Sequence, residues 1–130
     1  MAKAIPINLL KSFDHLKRLE NRTPTTTEHE SRESFTMLSE FRDGGAFVST
    51  FAGNSEWERH SNGDELVFSV EGKTDLILFI DGKEQRNTLD AGSLIIVPKN
   101  TWHRFETAGV KILTLTPQPT DHYSAETPPD

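Results

Sequence analysis

From Phe35 to Thr116 the chain is a succession of short runs rich in Phe, Val, Ile, Leu and Thr, each closed by Gly, Asn, Asp or Pro. Such punctuation leaves no room for a long helix in this region, and many short strands joined by frequent turns point to an all-β closed barrel or jelly roll. Strands are expected at Phe35–Phe41, Ala46–Phe51, Glu56–His60, Glu65–Glu71, Asp75–Ile80, Glu84–Asn87, Ser93–Val97, Trp102–Glu106 and Val110–Thr116. The turns fall at Asp43-Gly44-Gly45, Asn62-Gly63-Asp64, Asp81-Gly82-Lys83 and Ala91-Gly92, where glycine supplies the positive φ that tight reversals use.

The two ends differ from this middle. Leu9, Phe13 and Leu16, with Leu10 and Leu19 alongside, are spaced for a short amphipathic helix or arm. The run NRTPTTTEHESRES (21–34) is polar, unpatterned and broken by Pro24, and reads as an exposed loop without chemistry. The tail after Thr116 holds four of the seven prolines and is expected to run over the surface or stay disordered. The expected organisation is an N-terminal arm and polar loop over 1–34, a barrel over 35–116 and a Pro-rich tail over 117–130.

At 130 residues the chain suits one domain with a single core. It has no cysteine, which excludes disulfides and thiolate metal sites and makes the cytoplasm the expected location. A formal net charge of -6 argues against a nucleic-acid partner, because binding to phosphates relies on clustered Lys and Arg. No window has the length and apolarity of a membrane span, so no membrane partner is expected.

Chemistry concentrates in two stretches, ERHSNGDE (58–65) and GSLIIVPKNTWH (92–103). Alternate residues of a strand share a face, so Glu58 and His60 point one way and Trp57 and Arg59 the other. The reversal at Asn62-Gly63 brings Glu65 near His60, while His103 arrives from a distant strand and shares its face with Phe105. Asp64 reads as a turn residue.

These residues resemble the two motifs of the cupin superfamily. In the first, from Gly53 to Gly72, His60 matches the second His, Glu65 the Glu after four intervening residues and Gly72 the closing glycine. In the second, Gly92, Pro98 and His103 match in spacing, with Asn100 in place of the middle glycine and Thr107 in place of the final Asn. Glu58 stands where the family has its first His, and its distance from Gly53 is one residue short. The resemblance implies a double-stranded β-helix, or jelly-roll barrel, that is often a homodimer and holds a divalent metal. The implied ligand set is Glu58, His60, Glu65 and His103, with Mn, Fe, Ni or Zn as the metal.

Two carboxylates facing each other inside a barrel raise each other's pKa unless something compensates. A divalent cation does so with Glu58 and Glu65 as anionic ligands, and Glu58 serves as general base if it is not a ligand. A metal-dependent oxidoreductase, lyase or isomerase acting on a small molecule is the first functional expectation. A non-catalytic module binding a small metabolite or sugar is the second, and the replaced first His favours it. Trp57 and Trp102 face away from the interior and read as packing or subunit-interface residues. The apolar row Leu66, Phe68 and Val70, also outward, needs a cover such as a second subunit or the N-terminal arm. Phe47, Phe79 and Phe105 either line the cavity or fill the core. His15, His29 and His122 have no partner at ligand spacing and read as surface imidazoles.

Overall fold

A computed structural model describes residues 4–129 of the chain, so the first three residues of the arm and the last residue of the tail lie outside the described residues. Its strands are β1 (Leu19–Arg22), β2 (Phe35–Phe41), β3 (Gly44–Asn54), β4 (Trp57–His60), β5 (Glu65–Ile80), β6 (Lys83–Leu89), β7 (Leu94–Val97), β8 (Trp102–Pro117) and β9 (Thr120–Tyr123). The long strands β5 and β8 pair antiparallel from Leu66 with Leu115 to Phe79 with Trp102 and run through both halves of the barrel. One half has the order β2-β3-β8-β5-β7 and the other the order β9-β4-β8-β5-β6. This is the expected all-β jelly-roll barrel.

Four expected strands merge into these two. The β5–β8 ladder slips between Ser69 and Glu71 and again between Lys73 and Asp75, which is where each strand bends from one half to the other. Gly72 (φ 75°) and Gly109 (φ 155°) make the bend, and a Cβ on Gly72 would lie 2.3 Å from the Gly109 carbonyl oxygen. Glycine there bends the strand without ending it, because pairing continues on both sides.

Within the barrel Phe51, Val67, Leu76, Phe105 and Ile112 belong to the main buried cluster, with Phe51 and Phe105 meeting edge to face at 5.5 Å. A second cluster of Trp57, Ile77 and Trp102, backed by Phe79 and Tyr123, lies on the other face of the strands, as the alternation of Leu76, Ile77 and Leu78 requires. Both tryptophans are thus buried within one chain, which resolves their two expected roles in favour of packing.

That second cluster accounts for the tail. The tail pairs as β9 with β4, Tyr123 sits 6.2 Å from Trp102, and the Trp57 indole donates to the Glu126 carbonyl at 3.1 Å. Of the two courses expected for the tail, it runs over the surface, and disorder is corrected: the apolar cover it supplies and its ladder with β4 hold it in place. Of the two N-terminal alternatives, helix or arm, the structure takes the arm. Only Leu10–Phe13 forms a single 3-10 turn, which buries Phe13, and Leu19–Arg22 then pairs parallel with β3. Pairing with an available sheet edge outweighs a marginal helical pattern this short. The polar run that follows contains the short helix α1 (Glu28–Ser31), opened by a reciprocal capping box between Thr27 and Glu30.

Candidate metal centre

His60 ends β4 and Glu65 opens β5, so the turn between them sets their separation. That turn is tied to the β7–β8 connection, since the Lys99 N–H donates to the Asp64 carboxylate at 2.8 Å and the Asn100 N–H to the His60 carbonyl at 2.9 Å. The same connection leads into His103, two residues into β8. A four-residue turn and a short loop therefore place three side chains from distant parts of the chain together. His60, Glu65 and His103 are each at most 5% exposed, and one ligand atom from each lies within 4.8 Å of the other two.

Each imidazole is held by the nitrogen that faces away from this cluster. His103 Nδ1 donates to the Thr101 carbonyl at 2.9 Å, and His60 Nδ1 bonds the Thr120 hydroxyl at 3.0 Å. Their Nε2 atoms lie 3.0 Å and 3.4 Å from the two Glu65 oxygens. Neither Nε2 is aligned to make a hydrogen bond, and both are buried without a partner. Glu65 is fixed from its other side by Thr116, whose hydroxyl donates to Oε2 at 2.6 Å.

Buried polar atoms without partners are costly, so such a cluster needs a reason. Donors that converge without bonding one another fit a cation between them, and the outward nitrogens carry the supporting bonds usual for metal-binding histidines. The charge balance agrees. Burial pushes the Glu65 carboxyl up, but the neighbouring His103 and His60 outweigh it and hold it at about 2. Burial likewise pushes His103 down, but Glu65, the more distant Glu58 and the bond to Thr101 raise it above its usual value. The carboxylate favours the protonated form of His103 beside it, and a divalent ion held there would take the place of that proton, with Glu65 as its anionic ligand.

Glu58 lines the same cavity and is paired across β4 with His103 of β8 on one side and His122 of β9 on the other, but its carboxylate groups with Glu56 and His122 and not with the three buried residues. His122 Nδ1 bonds Glu56 and lies 3.7 Å from Glu58 Oε2. His122 is exposed, as expected of a surface imidazole, but the expectation that it lacks a partner is corrected, because the register of the tail strand delivers it to two carboxylates. The cavity has a volume of about 490 Å³, within the usual range for small-molecule sites. Its walls include Phe47 and Phe105 from the strands and, against expectation, Arg22, Thr26 and Ser31 from the segment read as an exposed loop.

Sequence reasoning missed Thr101, Thr116 and Thr120. Thr116 alone left a trace: in KILTLT (111–116) the threonines alternate with leucines, and the inward face is the polar one. Thr120 gave none, since its role depends on a strand that the prolines concealed.

A model of the cupin domain matches residues 48–116. The Bacillus subtilis (strain 168) protein YdbB is 28% identical over 90 residues, covering 68% of this chain and 76% of that protein. Among solved structures, a cupin-2 domain containing protein from Shewanella frigidimarina is 24% identical with a TM-score of 0.63, over 86% of this chain and 94% of that one. Hydroquinone 1,2-dioxygenase PnpCD is 18% identical with a TM-score of 0.57, over 64% of this chain and 63% of that one. At these identities the solved structures show the fold alone, whereas the domain model spans more than half of the chain. With the jelly-roll topology and the motif residues at hand, the chain belongs to the cupin family.

Proposed function

We propose that the barrel is a metal-dependent enzyme acting on a small molecule, by oxidation, decarboxylation or isomerisation. One observation carries the reading: two buried imidazole nitrogens without hydrogen-bond partners flank a buried carboxylate. His60, Glu65 and His103 would hold a divalent ion of the Mn, Fe, Ni or Zn kind, since mixed imidazole and carboxylate sets suit these metals. When bound, the ion supplies Lewis-acid polarisation of a substrate oxygen or, if redox-active, oxygen activation. Thr101 and Thr120 keep the two rings turned inward, and Thr116 fixes the carboxylate plane. Glu58, on the cavity wall outside the cluster, would take a proton from a substrate lying between it and the three ligands. The structure of hydroquinone 1,2-dioxygenase, which contains Cd2+ and 4-hydroxybenzonitrile, lends support by likeness of fold.

A second reading, a binding module without turnover, is favoured by the three-residue ligand set and by the family's first His being Glu58 here. Elemental analysis of the purified protein tests the metal: about one ion per chain is expected, falling to background in His103→Ala and Glu65→Gln. Occupancy unchanged in both variants rules the site out. Loaded protein that binds small molecules but converts none supports the module.

No helix among the described residues is long and apolar enough to cross a membrane. The outer face of the β2-β3-β8-β5-β7 half, where Leu66, Ile96 and Leu115 lie side by side, fits a homodimer interface.

A further inference from the structure

We infer that Arg22 is the anion anchor of the cavity and selects a small carboxylate with an apolar body. The inference rests on reading the cavity as a small-molecule site, and it is independent of the metal. Arg22 ends β1 opposite Gly53 of β3, and the two backbones meet so closely that a Cβ on Gly53 would lie 2.3 Å from the Arg22 carbonyl oxygen. This approach brings the guanidinium over the Phe51 ring, 4.5 Å from its centroid, on the wall that also carries Glu58, His60 and Glu65.

Among the described residues the Arg22 guanidinium makes no ion pair within 4.0 Å and no side-chain hydrogen bond. The side chain is half-buried against the cavity wall, and Glu58 and Glu56 attract the guanidinium from a distance without reaching it. Glu56 is already committed to His122. A guanidinium has five donors and no acceptor, and a planar carboxylate satisfies two of them at once. A lone cation with two carboxylates in its field suits a monoanion better than a doubly charged phosphate. Leu19, Phe47, Phe105 and Ile112 give the otherwise polar wall an apolar stretch beside Arg22 and Phe51, which an apolar body on the ligand would cover.

The test is calorimetric titration of the chelator-treated full chain with benzoate against benzamide and with phenylacetate against phenylacetamide. Without metal, preference for the acid over its amide reports on Arg22. Wild type should prefer the acid by about tenfold or more, as a charge-assisted bidentate contact gives. Arg22→Met, which keeps the stem packed on Phe51, should abolish the preference, and Arg22→Lys should reduce it. Glu58→Gln should strengthen acid binding by removing a competing carboxylate. Equal binding of acid and amide by wild type overturns the proposal, as does a preference that is undiminished in Arg22→Lys or that survives in folded Arg22→Met. If the chain takes up no Mn2+ or Zn2+ yet keeps an Arg22-dependent preference, the metal reading fails and this one stands.

Discussion

Glu65 Oε1 lies 3.0 Å from His103 Nε2 in a buried pocket, yet the imidazole directs its one aligned bond the other way, to the Thr101 carbonyl. The ring is therefore oriented by a group outside the cluster and leaves its inner nitrogen to whatever Glu65 also faces. The proposed metal chemistry draws on this relationship, and its supports are open to test one by one.

Thr116→Val removes the hydroxyl that donates to Glu65 while keeping the shape of the side chain. Loss of a bond that orients a metal ligand lowers metal affinity by roughly 10–100-fold. Competition with a chromogenic chelator should show that loss for Mn2+ and Zn2+ with little change in the melting temperature of the metal-free protein. An unchanged affinity means that Glu65 is not a ligand held by Thr116.

Metal-free and metal-loaded protein should respond to pH in opposite ways. In the metal-free fold Glu65 is held at about 2 against an ordinary 4.5, so its stabilisation is present above 4.5 and lost as pH falls toward 2. His103 is raised above 6.5, so its contribution is present below 6.5 and lost as pH rises through its folded value. The advantage of metal-free wild type over Glu65→Gln should therefore peak between 4.5 and 6.5. Protons compete with metal for His103, so stabilisation by added metal should instead grow as pH rises past 6.5. Chemical denaturation across this range, with and without metal, reads both curves, and parallel curves contradict the ion pair.

Glu58→Gln separates its two sequence-derived roles. The carboxylate groups with Glu56 and His122 instead of with His60, Glu65 and His103. Metal content should therefore remain near that of wild type, while turnover of any substrate that the protein converts should fall by roughly 10²–10⁴-fold, the range for a lost general base. A parallel fall in metal content makes Glu58 a ligand.

Much of this site is legible in the sequence because strand alternation and a tight turn are local rules. Glu58 and His60 are two residues apart, Asn62-Gly63 reverses the chain, and the position of Glu65 follows. What is not legible depends on pairing between distant segments. Arg22 reaches the cavity only because β1 adds to the edge of β3 at a glycine, and nothing in NRTPTTTEHESRES announces a partner strand. The tail misleads for a related reason. Its prolines read as surface chain, whereas Thr120 and His122 are fixed by a ladder with β4 that forms because Trp57 and Trp102 need a cover. Glu58 illustrates the limit of a motif, since the matched position is filled but the side chain turns toward a neighbour that the motif does not contain.

Removing that cover should cost much of the fold's stability. Trp102 is 5% exposed in the cluster with Trp57 and Ile77. Trp102→Ala should destabilise by about 3–5 kcal/mol, the usual penalty for emptying a buried aromatic site. Deleting residues 118–130 should lower stability and shift tryptophan fluorescence to the red, because the Glu126 carbonyl and Tyr123 leave together. The deletion should also weaken metal binding through loss of Thr120, which joins the cover to the site.

The outer face of the other half supplies the last prediction. Leu94 pairs with Phe68 and Phe68 with Leu113, while Ile96 pairs with Leu66 and Leu66 with Leu115, so two apolar rows run across three strands. Leu94 is 56% exposed, Ile96 48% and Phe41, near the end of the second row, 45%. Exposed apolar rows this continuous mark association surfaces, and a twofold pairing of the same face buries both copies at once. Sedimentation velocity should show a dimer for wild type and a monomer for Ile96→Asp, with the circular dichroism of the fold unchanged. A wild type that stays monomeric at every concentration leaves the face to another cover, and a dimer that survives the Asp places the interface elsewhere on the barrel.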